Sequence, residues 1–221
     1  MKLMKGCTRI ECWGPYACFT RPEMKAERVS YDIMTPSAAR GIVEAIYWHP
    51  GIKYVIDEID LLNPIKYTNV RRNEIKSKLS ADKVVTAAKN NGNLNLYRQA
   101  DIQQRASLIL RDVHYCITVH FEMTPRANPG DNPGKFCDIL RRRARKGQCF
   151  YQPYFGTREF SAAFRLVEDN DVSIKPYPEN RDLGYMLYDL DYHDPEHITP
   201  CFFHAKLENG VLNLRDCEVL K

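Results

Sequence analysis

The chain has 221 residues, with 32 Lys and Arg against 28 Asp and Glu and a formal charge of +4. Hydrophobic residues at 44% and charged residues at 27% are ordinary globular values, which excludes disorder, collagen and coiled coil. No apolar run approaches the ~20 residues of a membrane span, and Met1-Lys2-Leu3-Met4-Lys5-Gly6 opens no secretory apolar segment. The expectation is a cytoplasmic chain with no membrane partner. Eight cysteines (Cys7, Cys12, Cys18, Cys116, Cys137, Cys149, Cys201 and Cys217) stand at irregular spacings without a C-x-x-C. That pattern predicts reduced thiols and gives no support to a disulfide framework or a structural zinc.

Lys5 to Trp13 alternates as a first strand, Gly14-Pro15 is a break or kink, and Tyr16 to Phe19 resumes extended structure. Thr35-Pro36 opens a helix, with Thr as N-cap and Pro at the first position, running to Tyr47. Ala38, Ile42, Ala45 and Ile46 share its apolar face, and Gly41 is expected to pack closely on a sheet. Pro50-Gly51 ends the element. Tyr54 to Leu62 is a second strand. Residues 63–104 are polar and too long for a plain loop, so they predict an inserted hairpin or arm. Ala106 to Met123 is the longest β-like stretch. Turn-formers between Pro125 and Pro133 close it, Lys135 to Lys146 is a helix, and Arg158 to Val167 is a strand.

The order through residue 167 is β-α-β-β-α-β, the ferredoxin-like order that RNA-recognition domains share. Further on, Tyr185 to Tyr192 alternates. Cys201 to Leu207 and Val211 to Leu214 flank Glu208-Asn209-Gly210, a type I′ hairpin signal. The predicted fold class is α+β. A ferredoxin-like domain over 1–167, with 63–104 inserted, precedes a small antiparallel β domain over 168–221.

Charge divides at the same place. Residues 1–167 carry 27 Lys and Arg against 16 Asp and Glu, a net of +11, while residues 168–221 carry 5 against 12, a net of −7. Such asymmetry points to nucleic acid at one end of the molecule. The densest block is Lys135 to Lys146, where Arg141, Arg142, Arg143 and Arg145 join two lysines. A basic run is often only a solvated helix face. Arg, however, suits phosphate through its planar fork. Tyr47-Trp48-His49 and Phe150-Tyr151 add aromatics near these cations, the combination single-stranded RNA uses. For Trp48 and Phe155 a place in the core is the expectation. His114 and His120 lie at even spacing on one strand and so face one side. His193, His197 and His204 lie in the acidic tail and give too few ligands for a zinc site. No GxxxxGK[ST], GxSxG, HExxH or GxGxxG occurs.

Several segments in order carry a family likeness. They are Cys12-Trp13-Gly14-Pro15-Tyr16 with Glu27-Arg28-Val29-Ser30-Tyr31, and Thr35-Pro36-Ser37-Ala38-Ala39-Arg40-Gly41 through Ile46-Tyr47-Trp48. Leu110-Arg111-Asp112-Val113-His114, Gly134-Lys135 and Gly156-Thr157-Arg158-Glu159-Phe160 follow. The chain resembles the CRISPR-associated endoribonucleases of subtype I-C (Dvulg) systems, members of the RAMP superfamily that mature precursor crRNA. The resemblance implies metal-independent cleavage at the base of the repeat hairpin, with no cofactor. It further implies retention on the 5′ handle beside the backbone and large subunits of an effector complex.

In such cleavage the RNA 2′-OH attacks the adjacent phosphate. The family's usual set is a Tyr, a Lys and a His. Tyr47 and Lys135 match, but Phe136 stands where the His is expected, so His49 and His114 are the substitute candidates. The motif arginines Arg28, Arg111 and Arg158 join Arg141, Arg142, Arg143, Arg145 and Lys146 as candidate RNA contacts. The alternatives are a crRNA-binding scaffold without useful nuclease activity and a DNA-binding interference subunit, with duplex DNA as partner.

Overall fold

The computed structural model describes residues 8–24, 26–95, 99 and 101–221. The elements, in chain order, are β1 (Thr8–Ala17), α1 (Pro36–Ile46), β2 (Ile52–Leu61), β3 (Tyr67–Ile75), α2 (Ala81–Lys89) and β4 (Ile102–Met123). Next come α3 (Pro133–Arg145), β5 (Ala163–Val167), β6 (Arg181–Asp191), β7 (Thr199–Glu208), β8 (Val211–Asn213) and β9 (Val219–Leu220). The sheet runs β5-β1-β4-β2-β8-β7-β6, with β3 on β4 and β9 on β7. All pairs are antiparallel. The run β5-β1-β4-β2 is the ferredoxin-like order expected from the sequence.

Helices α1 and α3 cover one face. In α1 the Thr35 hydroxyl accepts the Ala38 N–H at 3.3 Å and Pro36 fills the first position, as the Thr-Pro pair predicts. Ile42, Val43 and Ile46 are buried, each such side chain worth about 1.5–3 kcal/mol of transfer free energy. In α3 the Asn132 side chain accepts the Lys135 N–H at 2.9 Å, and Phe136, Leu140 and Ala144 form the buried stripe. On β1, Ile10 and Cys12 meet this helical layer in the core, while Arg9, Glu11 and Trp13 alternate onto the opposite face.

Several expectations need correction. Gly14 and Pro15 lie inside β1, which continues to Ala17; Gly14 is required there because a Cβ would stand 2.9 Å from the Phe155 ring. Gly41 meets nothing within 4 Å where a Cβ would be, so it does not pack on the sheet. The expected strand over Arg158 to Val167 starts only at Ala163. Lys5 to Cys7 fall outside the described residues. The arm over 63–104 holds β3, paired to the first half of β4 from Tyr67↔Leu110 to Ile75↔Ile102, and a helix, α2, none of whose residues is buried. The tail does not close a sheet of its own, for β8 pairs with β2 through Glu58↔Asn213, Ile59↔Leu212 and Asp60↔Val211. The hairpin signal holds, with Asn209 at φ 50 and Gly210 at φ 79 between β7 and β8. Strand β6 pairs with β7 through two register shifts, at Asp182/Gly184 and Leu187/Asp189. The described cysteines are free thiols, and no described helix is long and apolar enough to cross a membrane.

The 154–161 loop is held to the end of β1 by Cys18 N–H to Phe155 O at 3.1 Å. Gly156 there has φ +79, and a Cβ on it would sit 2.0 Å from the Cys18 carbonyl oxygen. Gly156→Ala should therefore destabilise the fold by at least ~2 kcal/mol and lower Tm by roughly 4–8 °C in a thermal melt.

Candidate active site and RNA interface

The end of α1 and the start of α3 meet over one ring. Phe136 is 1% exposed, with Tyr47 at 6.4 Å and His49 at 4.9 Å between ring centroids. Tyr47 terminates α1: its φ of −152° is extended, while its N–H still donates to Val43 O. Arg143 reaches across from α3. It donates to Ile46 O at 3.1 Å, satisfying a carbonyl that a helix end leaves open, and lays its guanidinium 5.3 Å from the Tyr47 ring centroid. Lys135, on the first turn of α3, lies 6.0 Å from the centre of the Phe136 ring. Its Nζ is held by Asp131 at 2.8 Å, and the Asn128 N–H and side-chain amide fix that carboxylate in turn.

These contacts set the proton chemistry. Burial raises the Tyr47 phenol above its ordinary range, although the Arg143 and Lys135 cations pull against it. Its bond to Asp131 raises Lys135 above the usual ammonium value, and the same bond lowers Asp131. Tyr47 therefore carries its proton and Lys135 its charge at neutral pH. The Gly51 N–H donates to His49 Nδ1 at 3.0 Å, inside the turn closed by Ile52 N–H to His49 O at 3.1 Å. An Nδ1 that accepts has no hydrogen of its own, so the ring N–H sits on Nε2. The group is rich in donors: a phenol, an ammonium and an imidazole N–H, next to the N-terminus of α3.

His114 is not part of this group. It lies on the sheet face away from the helices, with Nε2 on Glu11 at 2.7 Å, and seven residues along β4 from Phe121, roughly 23 Å at strand rise. Phe121 is the β4 residue that touches Phe136, at 6.2 Å. His120 shares the His114 face, as its spacing predicts, and bonds Asp57 at 3.0 Å. Trp48, expected in the core, is 58% exposed, whereas Phe155 is fully buried as expected. Phe150, 82% exposed, is tied beside the same helix end by its N–H to Ala45 O at 2.8 Å. Trp48 and Phe150 thus stand in solvent at the end of α1 that carries Tyr47.

The basic block divides by helix face. Arg141 pairs with Asp169 at 3.1 Å, and Arg145 pairs with Glu168 through two bonds of 2.6 and 3.1 Å, so the acidic start of the tail already occupies both. Arg143 supports Tyr47. Arg142 and Lys146 are exposed on another face with no ion pair among the described residues. Arg28 pairs with Glu74 at 3.3 Å. Arg111 and Arg158 are exposed. Asp131 is a support that sequence reading did not assign, and Arg143, expected as an RNA contact, stands instead against the Ile46 carbonyl and the Tyr47 ring. The four-residue spacing of Asp131 and Lys135 was a usable signal, while the reach of Arg143 to α1 has no local one.

The model of the CRISPR-associated protein (Cas_Cas5) family matches residues 7–215. A protein of Mannheimia succiniciproducens named CRISPR pre-crRNA endoribonuclease Cas5d is 51% identical over 213 residues, covering 93% of each chain. The chain belongs to the Cas5 family. A Thermus thermophilus protein of the same name is 35% identical over 223 residues, covering 93% of this chain and 90% of its own. A crystal structure titled as a CRISPR-associated protein superposes with a TM-score of 0.69 at 24% identity, over 97% of this chain and 96% of that one. That likeness establishes the fold.

The division of the basic helix makes a measurable difference in this Cas5-family chain. Replacing Arg142 and Lys146 together by Ala should weaken binding to any RNA and flatten the slope of log K against log salt by roughly 0.7 for each phosphate no longer neutralised. Replacing Arg141 and Arg145 should change that slope less. A larger change from the Arg141/Arg145 pair, in a salt titration, would show that Glu168 and Asp169 release them to RNA.

Proposed function

We propose that this chain is a metal-independent endoribonuclease that cleaves precursor crRNA at the base of the repeat hairpin. It then stays on the 5′ handle as a subunit of a type I-C effector complex. The observation that carries the reading is the meeting of Tyr47, Lys135 and His49 over Phe136 in a chain whose relatives bear the name pre-crRNA endoribonuclease.

In the proposed step the RNA 2′-oxygen bonds to the adjacent phosphorus and the bond to the 5′-oxygen breaks, leaving a 2′,3′-cyclic phosphate and a 5′-hydroxyl. The 2′-OH loses a proton and the 5′-oxygen gains one, so no hydrolytic water and no metal-activated nucleophile are required. Lys135 keeps its charge and, with the α3 N-terminus, stabilises the added negative charge on phosphorus. Tyr47 holds its proton and can donate to the 5′-oxygen or to a phosphoryl oxygen. His49 Nε2–H donates to the phosphoryl group. Acting as a base through Nε2 would require a hydrogen on Nδ1, where the Gly51 N–H already points. The hairpin stem is bound by its backbone, because an A-form major groove is too deep and narrow for side chains.

A second reading keeps the RNA and drops the cleavage. It is favoured by one observation: none of the three side chains is set to accept the 2′-OH proton. One assay separates the two, single-turnover cleavage of cognate repeat RNA in EDTA. Tyr47→Phe should slow it at least ~10²-fold with RNA affinity nearly unchanged, and His49→Ala should cost a similar factor. Lys135→Ala should lower both rate and affinity. An intact wild type that binds the hairpin tightly and leaves it uncut would establish the scaffold reading.

A further inference from the structure

The sheet face away from the helices holds a second feature that the Tyr47 group does not use. Pro15 of β1 stands opposite Asp112 of β4, and the paired register passes from Gly14↔Val113 to Tyr16↔Arg111 without them. Proline has no N–H for the ladder. Asp112 takes φ 54, a left-handed backbone that a non-glycine residue keeps only where its surroundings fix it. Here the Asn63 amide donates to the Asp112 carbonyl at 2.9 Å, and Lys66 pairs with its carboxylate at 3.6 Å.

A cleft of about 530 Å³ opens beside this interruption, lined among others by Trp13, Asn63, Asp112, His114, Glu11 and Arg165. Its floor is rigid. Glu11, 6% exposed, is held by His114 at 2.7 Å and by Arg165, which also meets Asp171 at 3.0 Å. The fixed imidazole stands edge-on to Trp13, with centroids 6.1 Å apart and planes at 69°. The indole itself is 39% exposed and opens on the cleft.

We propose that this cleft takes one unstacked base of RNA, stacked on Trp13. The volume lies within the ~300–1,000 Å³ of small-ligand sites. An indole supported at its edge offers the kind of platform on which any base stacks. Asn63 and the exposed Asp112 carboxylate line the cleft and can face a base edge, and Lys66, paired with Asp112, stands beside them. A protein contact would favour a wider apolar patch, whereas Trp13 stands among paired charges. The cleft and Tyr47 lie on opposite faces of the sheet, so the base held here is not at the scissile bond. It comes from an unpaired segment beside the hairpin. The inference rests on the RNA-binding part of the proposed function and not on cleavage.

The test uses the two tryptophans. Trp48→Phe leaves Trp13 as the reporter, and repeat RNA with its unpaired flanks should quench its fluorescence, while a blunt hairpin should not. Tyr47→Phe placed in the same chain should leave the quench intact, so an inactive nuclease does not remove the readout. Trp13→Ala should weaken binding of the flanked RNA about tenfold to a hundredfold, and Trp13→Phe should recover most of the loss. No quench in the Trp48→Phe protein overturns the proposal, even if Trp13→Ala fails to fold. Loss of binding to another complex subunit in Trp13→Ala, with affinity for flanked RNA intact, also overturns it and makes the cleft a protein contact.

Discussion

Strand β4 pairs with three strands at once. Along one edge it holds β1 from Thr8↔Val119 to Ala17↔Leu110, and along the other it holds β2 and then, past the end of β2, β3. Both helices pack on the sheet that this strand centres. The contact of Phe136 with Phe121 places the start of α3 against the far end of β4. The positions of Tyr47 and Lys135 follow from that, since each stands at a helix end fixed over the same ring. The cleft at Trp13 depends on the same strand at the point where Asp112 leaves its regular path.

Much of this was legible in the sequence where side chains alternate between a core and water. The strands of the ferredoxin-like order and both packed helices show a clear period because one side of each is buried. Strand β3 gave no such signal. Its sequence, YTNVRRNEI, is mostly polar on both faces, because one side is exposed and the other only half-buried, with Val70 alone of its residues packed against the core. Helix α2 escaped because none of its residues is buried. The pairing of β8 with β2 joins residues some 150 positions apart, and local pattern carries no information on it.

The candidate site divided in the same way. Tyr47 and Lys135 stand out by motif, and the structure brings both side chains to the Phe136 ring. The fates of the arginines were not legible, because each depends on a distant partner: Glu168 and Asp169 for Arg145 and Arg141, and the Ile46 carbonyl for Arg143. Local density of positive charge therefore overstated what is available to phosphate. Trp48 was misplaced because the helical period that predicts burial ends at Ile46, and nothing in Trp48-His49-Pro50 fixes the direction of the indole.

The two irregularities in β6 bear on how the molecule keeps its own company. This strand forms one border of the sheet, where a row of unpaired backbone groups would otherwise invite strand addition from another chain. With Gly184 at φ 68 and register shifts at Asp182/Gly184 and Leu187/Asp189, that border is bent twice and carries carboxylates. The opposite border, β5, is only five residues long. Neither of these two borders offers a long flat template, and the outer edge of β3, nine residues that pair with β4 alone among the described strands, carries Arg71, Arg72 and Glu74, charges that discourage strand addition.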